Sequence, residues 1–393
     1  MTNERSAIVA GGGIAGTATA IALRHAGYAP VIYEAKERGA DERGVFLTIA
    51  ANGVHALRSL GMDPARVLAG GFSTPTIALR GARGQMLAEV PLGGPETTTI
   101  RRADLYTALR AEAEAHDIPI VYGARLASVT AGSGAVTAGF EDGRDATADL
   151  LVGADGLRSR TRKALDPDAP EPHYLGLLNT GGFTAGPVGP DLAPPRGTMQ
   201  MSFGRRAFFG WVTAPDDSVW WFANPPRKQP ARPGEFTDET WREYLLDLFA
   251  GEPAGDLIRA SDEMVGPWNT RDLRRVPVWR GERVVLVGDA AHAVAPSSGQ
   301  GASMALEDAV VLGHHLRRQR DVSEALAGYE AERRPRVQKV VAYGRRSSNG
   351  KVLGPVGAAI RDAMLPMVMR QLHRKGDPQA WILEHRLPAL AGC

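Results

Sequence analysis

The period of the hydrophobic and polar positions changes several times along this chain, and each change marks an element. A short apolar run at residues 7–10 meets a glycine-rich turn, and an apolar stripe of helical spacing then runs from Ile14 to His25 and stops at Gly27. A second apolar run at residues 30–34 completes a strand, helix, strand order. The pattern around Leu57–Leu60 is helical, residues 70–90 alternate with period two, and residues 102–116 repeat Leu105, Leu109 and Ala113 on one helical face. Four strands are predicted in "IPIVYG", "LASVTAG", "AVTAGFEDG" and "ADLLVGADG", separated by Gly, Asp and Ser turns. Between about 172 and 267 helical periodicity fades, Pro is frequent and aromatic residues crowd around the turn "APDD", which predicts a β-sheet. The α/β pattern returns with the strand "RVVLVGD" and a helix over 301–318, and the last fifty residues read as mainly helical.

The predicted fold class is therefore α/β. A Rossmann-like nucleotide domain is assembled from residues 1–72, 100–170 and 271–345. A mainly antiparallel β-sheet substrate domain, residues 73–99 and 171–270, is inserted into it, and a helical C-terminal segment covers 346–393. A length of 393 residues suits two domains. With 44% apolar residues, 23% charged and a net charge of +2, the composition is that of a folded chain without a nucleic-acid surface. Its single cysteine, Cys393, excludes an intrachain disulfide and a cysteine metal cluster, and fits a reducing cytoplasm. Residues 7–23 and 352–369 are the most membrane-like stretches, but glycines interrupt the first, and Gly354, Pro355, Arg361, Asp362 and Pro366 the second, so no spanning helix is expected.

Gly11, Gly13 and Gly16 form G-x-G-x-x-G between a strand and a helix. The first glycine makes the turn, the second lets backbone approach a pyrophosphate, and the third lets helix and strand pack closely. Glu34, at the end of the second strand, can hold ribose hydroxyls and would repel a 2′-phosphate, so FAD or NAD is favoured over NADP there. A glycine-rich turn without a ligand is the plain alternative. A second turn, Gly288–Asp289, followed by "PSSGQGA" and another helix, offers a carboxylate to a polyol and a further helix N-terminus to developing negative charge. FAD is long enough to need both turns.

Three motifs, "GGGIAG" with "YEA", "GADGLRSRTR" and "GDAAHAVAPSSGQGASMALEDA", together with "IRRADLYTAL", resemble the para-hydroxybenzoate hydroxylase family of single-component (class A) FAD-dependent aromatic monooxygenases. The resemblance runs from Ala7 to about Arg336 and implies a nucleotide domain of glutathione-reductase type. Carried over position by position, it implies that Gly11, Gly13, Ile14, Ala15, Gly16, Glu34, Ala35, Arg43, Arg102, Leu126, Asp155, Gly156, Gly288, Asp289, Pro296, Gly299, Gly301 and Ala302 meet FAD. Arg102 also reads as a surface arginine at a helix start, and Asp155 as an Asp-Gly turn residue. The aromatic cluster reads as sheet core or as pocket lining; because alternate residues share a face, Met201, Phe203, Phe209, Trp211 and Trp221 are the expected substrate contacts.

The resemblance further implies that NADPH or NADH, as a transient co-substrate, reduces FAD, and that O2 forms a flavin C4a-hydroperoxide which hydroxylates or epoxidises a hydrophobic aromatic or polycyclic substrate. Bacterial secondary metabolism or aromatic catabolism would be its setting. No side-chain acid or base is expected, nor a metal, since the histidines show no ligand spacing. His292 reads as a tie for its turn, and "RRPRVQK" from Arg333 as a helix end with a solvated face. A monomer or homodimer is expected. The rivals are an FAD dehydrogenase or reductase on the same scaffold and a non-catalytic flavin-binding protein.

Overall fold

The computed structural model describes residues 4–38, 44–132, 134–186, 188–189, 192–294, 299–349, 355–373 and 378–390. The chain opens with β1 (Arg5–Ala10), α1 (Ile14–His25), β2 (Tyr28–Tyr33), β3 (Phe46–Ile49), α2 (Ala51–Ser59), α3 (Pro64–Val67) and β4 (Phe72–Ser73). A hairpin follows, β5 (Thr76–Arg80) and β6 (Met86–Pro91), and then β7 (Thr98–Arg101), α4 (Arg102–Ala115), β8 (Ile120–Val121), β9 (Leu126–Ala131), β10 (Val136–Phe140), β11 (Asp145–Ala148), β12 (Leu150–Gly153) and α5 (Arg160–Leu165). The next stretch holds β13 (His173–Thr184), β14 (Thr198–Phe203), β15 (Phe208–Thr213), β16 (Val219–Asn224), α6 (Asp238–Leu248), α7 (Pro253–Arg259) and β17 (Glu263–Asp272). The chain returns through β18 (Val284–Leu286), α8 (Asp289–His292), α9 (Gly301–Arg318), α10 (Val322–Asn349), α11 (Pro355–His373) and α12 (Ala380–Leu383).

Five strands form a parallel sheet in the order β18-β12-β1-β2-β8. Its centre, β1, is apolar on both faces because it separates two cores. Ala7 and Val9 point into the large core with α1 and α9, while Ile8 and Ala10 point into a smaller one shared with the three-stranded sheet β11-β10-β9. Leu105, Leu109 and Ala113 of α4 are all buried in the large core, which explains their helical spacing.

The second sheet has seven strands in the order β17-β13-β16-β15-β14-β5-β6, antiparallel at every pairing except β14 with β5. Residues 76–91 thus leave the nucleotide region to complete this sheet. A small sheet, β3-β7-β4, lies against one of its faces, where Phe46 and Phe72 pack on Trp220. Helices α6 and α7 cover the other face.

Sequence periodicity does not reveal α6 and α7. The signal for α6 is its capping box, in which Thr237 and Thr240 each bond the other's backbone N–H. A correction concerns "RRPRVQK": it is no helix end but the interior of α10, and Arg333 is 1% exposed. The reason is that α10 packs along α9, whose Glu307 and Asp308 are turned inward and take Arg333 as their counter-ion.

Candidate functional site

The loops that follow β1, β2, β12 and β18 all leave the carboxyl end of the parallel sheet, the side on which open α/β sheets bind ligands. Gly11 has φ +107°, and a Cβ there would lie 2.4 Å from the Ala154 carbonyl oxygen; at Gly16 a Cβ would lie 1.8 Å from the Gly11 carbonyl oxygen. The turn after β1 is therefore closed on the loop after β12 with no room for side chains. Gly13 differs, since a Cβ there would meet nothing within 4 Å. It opens α1 without a side-chain cap, so the first-turn N–H groups of Ile14, Ala15 and Gly16 have no partner within the helix. The second glycine turn sits beside this opening: at Gly288, with φ +58°, a Cβ would come within 2.7 Å of the Ala15 Cβ. Two bends almost three hundred residues apart along the chain thus face one groove.

Glu34 is buried, and its carboxylate accepts the Gly12 N–H at 2.7 Å and the Lys36 N–H at 2.9 Å. Each oxygen keeps a second lone pair for a hydroxyl. Ala35 follows it, half-buried. Asp289 is exposed at the start of α8, and its carboxylate makes no hydrogen bond among the described residues. Gly299 has φ +62°, and Gly301 and Ala302 begin α9, which also lacks a side-chain cap. An uncapped helix start, an open approach at Gly13, a fixed carboxylate at Glu34 and an unengaged one at Asp289 fit a long ligand with phosphates in its middle and hydroxyls on either side.

Other expected positions lie differently. Asp155 spends its carboxylate on α5, accepting from Ser159 Oγ at 2.5 Å and from the N–H groups of Arg160 and Thr161 at 2.8 and 2.9 Å. The turn residue wins over the ligand at that side chain, and only Gly156, with φ +74° and no neighbour for a Cβ within 4 Å, offers an open backbone. The side chain of Leu126 is packed with Phe140 in the small core. Arg102 is exposed, lies against Gly44, and donates to the Tyr106 hydroxyl at 2.8 Å. Arg43 and Pro296 lie outside the described residues.

The groove is held from behind by buried charges that sequence reading missed. Asp308 accepts the Gly288 N–H at 2.8 Å, meets His292 Nε2 at 2.5 Å and takes Arg333 Nε at 2.8 Å. Burial alone would raise its pKa, but His292 and Arg333 outweigh that and lower it. An ionised carboxylate only accepts, so His292 donates through Nε2 and ties the turn. Glu307 is likewise opposed by burial, and the Arg333 and Arg336 guanidiniums bring its pKa down to about 2. Asn52 links Glu307, at 2.7 Å, to Gln300 at the head of α9, at 3.0 Å. Arg162, from "GADGLRSRTR", is 1% exposed and donates to the Leu157 and Ala290 carbonyls at 2.8 and 2.9 Å, which staples the loop after β12 to the turn after β18. The available signal was an ED pair inside an apolar helix together with an Arg-rich one.

The seven-stranded sheet presents one face to this region and one to α6 and α7. Pairing of Trp211 with Trp221 and of Phe209 with Ala223 puts Phe209, Trp211 and Trp221 on the helix-covered face. Phe209 and Trp221 stack at 5.3 Å and are at most 1% exposed, and Trp221 Nε1 donates to Ser261. These three are core, which corrects the expectation that they meet substrate. Met201 and Phe203 fall on the opposite face with Trp220 and Phe222, where Phe46, Phe72 and Phe183 also pack and Arg101 stands 4.0 Å from the Phe183 ring centre. That face also meets the nucleotide region directly, since a Cβ at Gly181 would lie 2.4 Å from Val45.

A family model described as FAD binding domain matches residues 4–343. The aurachin C monooxygenase/isomerase of Stigmatella aurantiaca is 33% identical over 352 residues, which is 87% of this chain and 88% of that protein. The FAD-dependent urate hydroxylase of Klebsiella pneumoniae is 32% identical over 351 residues, 86% of this chain and 88% of its own. The crystal structure of Klebsiella pneumoniae HpxO complexed with FAD and uric acid superposes with a TM-score of 0.82 at 27% identity, covering 95% of this chain and 96% of that one. With a family match over residues 4–343 laid on the paired glycine turns, the chain belongs to the class A FAD-dependent aromatic monooxygenases of the para-hydroxybenzoate hydroxylase type, enzymes with FAD as cofactor and NAD(P)H as the usual co-substrate.

Proposed function

We propose that this enzyme inserts one oxygen atom of O2 into a hydrophobic, electron-rich aromatic or polycyclic substrate, by hydroxylation or epoxidation, with NADPH or NADH as reductant. The observation that carries the reading is the apolar face of the seven-stranded sheet opposite α6 and α7, where Met201, Phe203 and Phe222 stay partly exposed and which abuts the nucleotide region at Gly181 and Val45. The relatives named for urate and for aurachin C, each about a third identical, support a ring substrate.

When bound, FAD supplies hydride acceptance and oxygen activation, which no side chain provides. The chain's part is to bind, orient and exclude water. In this assignment the N–H groups of Ile14, Ala15 and Gly16 take the pyrophosphate, Glu34 the ribose hydroxyls, and Asp289 the polyol. The start of α9, with Gly299, Gly301 and Ala302, meets the ring end, where a helix N-terminus favours negative charge. Arg102 stands at the edge of the groove; Gly11 and Gly288 act through the close contacts they permit. Residues 73–99 and 171–270 form the substrate domain. On its inner face the rings and Met201 present an apolar surface that keeps water from the reacting carbon.

The test follows O2 uptake and NAD(P)H consumption by the FAD-loaded protein, with and without candidate aromatic substrates. Substrate-stimulated oxidation with labelled oxygen in the product is expected. Turnover of an artificial acceptor under argon, without oxygen in product, would make it a dehydrogenase; neither activity would make it a flavin binder.

A further inference from the structure

The face of the seven-stranded sheet turned away from α6 and α7 is not apolar throughout. Strand register sets Phe203 beside Phe208 and Phe208 beside Asn224, and the Asn224 side chain reaches Asn179 on β13. Two rings and two carboxamides thus form one row across the face. Phe208 and Asn224 are buried, whereas Phe203 and Asn179 are half-buried. Asn179 lies two residues before Gly181, the position that meets Val45 of the nucleotide region, and hence about 7 Å from that seam. Its register partner on β17 is Trp268, a large apolar side chain that stays 38% exposed. Directly opposed residues of an antiparallel pair share a face, so the indole and the amide are neighbours.

The orientation of the two amides follows from their partners. Asn224 Nδ2 donates to the Ala223 carbonyl at 3.2 Å and meets Asn179 at 3.1 Å. A carbonyl only accepts, so the group that Asn224 turns toward Asn179 is its NH2, and the Asn179 atom it meets is the acceptor, Oδ1. The NH2 of Asn179 is thereby turned away from Asn224. It makes no hydrogen bond among the described residues.

A free donor next to an exposed ring makes a mixed site: the ring takes an apolar body by stacking, and the donor fixes how that body lies. The amide carries no charge, so the group it suits is a neutral acceptor, a ring carbonyl or a pyridine-type nitrogen. A carboxylate would call for a cation, which this row lacks. We propose that Asn179, oriented by Asn224, determines substrate specificity: its NH2 donates to such an acceptor while Trp268 stacks on the ring system. The inference rests on the aromatic-substrate reading above and narrows it to rings that carry a neutral acceptor.

Equilibrium dialysis of ligands against the FAD-loaded full chain needs neither NAD(P)H nor turnover, so its outcome is separate from the oxygenase test. The probes are α-tetralone and tetralin, which share one skeleton and differ in the carbonyl oxygen. Wild-type protein should bind the ketone about tenfold more tightly. Asn179→Leu, an apolar side chain of similar size, should bring the two to within about twofold, mainly by weakening the ketone. Asn179→Asp still offers Asn224 an acceptor but turns a second one toward the ligand, and should also remove the preference; it keeps the answer readable if the leucine variant fails to fold. Wild-type protein that binds the two alike overturns the proposal and leaves the oxygenase reading standing. So does a preference for the ketone that survives both substitutions. Tighter binding of naphthoate than of the ketone would also overturn it and move the anchor to Arg101, whose guanidinium lies over Phe183 on the same face. If wild-type protein takes neither tetralone nor tetralin, the aromatic-substrate reading falls and this inference with it.

Discussion

The parallel sheet and the seven-stranded sheet use their key residues in opposite ways. Around the parallel sheet, the glycines that close the groove are dictated by close contact: Gly16 touches the Gly11 carbonyl, Gly288 touches the Ala15 Cβ, and a side chain at either would collide. In the seven-stranded sheet both faces carry the same kind of residue. Trp220 and Trp221 are neighbours in sequence and face opposite ways, one toward Phe46 and Phe72, the other toward Phe209 and Ser261. Geometry selects residue type in the first sheet, and only the neighbouring layer distinguishes the residues of the second.

Six substitutions sharpen or break this contrast. Gly16→Val should have the largest effect, because its Cβ would lie 1.8 Å from a backbone oxygen that cannot yield; circular dichroism and flavin absorbance should show no folded yellow protein. Trp221→Ala, which empties a fully buried site, should cost about 3–5 kcal/mol in urea unfolding, whereas Phe222→Ala, on the half-exposed inner face, should cost about 1–2 kcal/mol and raise KM for substrate. A reversal of those two results would exchange the faces.

Glu307→Gln tests the charges behind the groove through pH. The folded pKa of Glu307 is lowered to about 2, so its stabilisation is present above the ordinary carboxylate range and is lost as pH falls toward that value; the amount is on the order of 3 kcal/mol. Urea midpoints measured from neutral pH down to the folded pKa should fall steeply in the wild type and flatten in the variant. Gly13→Val should leave unfolding of the flavin-free protein within about 0.5 kcal/mol of wild type, since nothing lies within 4 Å of its Cβ. Flavin titration should nevertheless show affinity reduced by about a hundredfold or more. Asp289→Ala should move stability least, by under about 0.5 kcal/mol, with flavin affinity down about tenfold for the loss of a charged hydrogen bond.

The same contrast explains what could be read in advance. The helix Ile14–His25 and the start of α9 at Gly301 are legible because glycine turns bound them. The return of the chain to the first sheet at β18 was legible because a strand and glycine turn recur after a long aromatic interval. Phe209, Trp211 and Trp221 were misplaced because alternation shows which residues share a face but not which face meets substrate, and helices α6 and α7, which decide it, leave only a Thr-x-x-Thr trace. Arg333 was read as solvated because a buried arginine looks like any other until its carboxylates are located. Asp155 reads both as a ligand and as an Asp-Gly turn residue, and the fold uses its carboxylate to begin α5.

The Arg162 staple also has a consequence for biosynthesis. It joins Leu157 to Ala290, and the Asp308 side chain that holds Gly288 is itself held by Arg333. A nascent chain must therefore emerge from the ribosome as far as the first half of α10 before the groove has both its walls. Such long-range closure is slow to nucleate, and the cofactor, binding only the finished groove, would pull the last step forward by mass action. Riboflavin starvation should consequently show first as lost polypeptide, degraded while still half-assembled, rather than as an accumulated colourless pool.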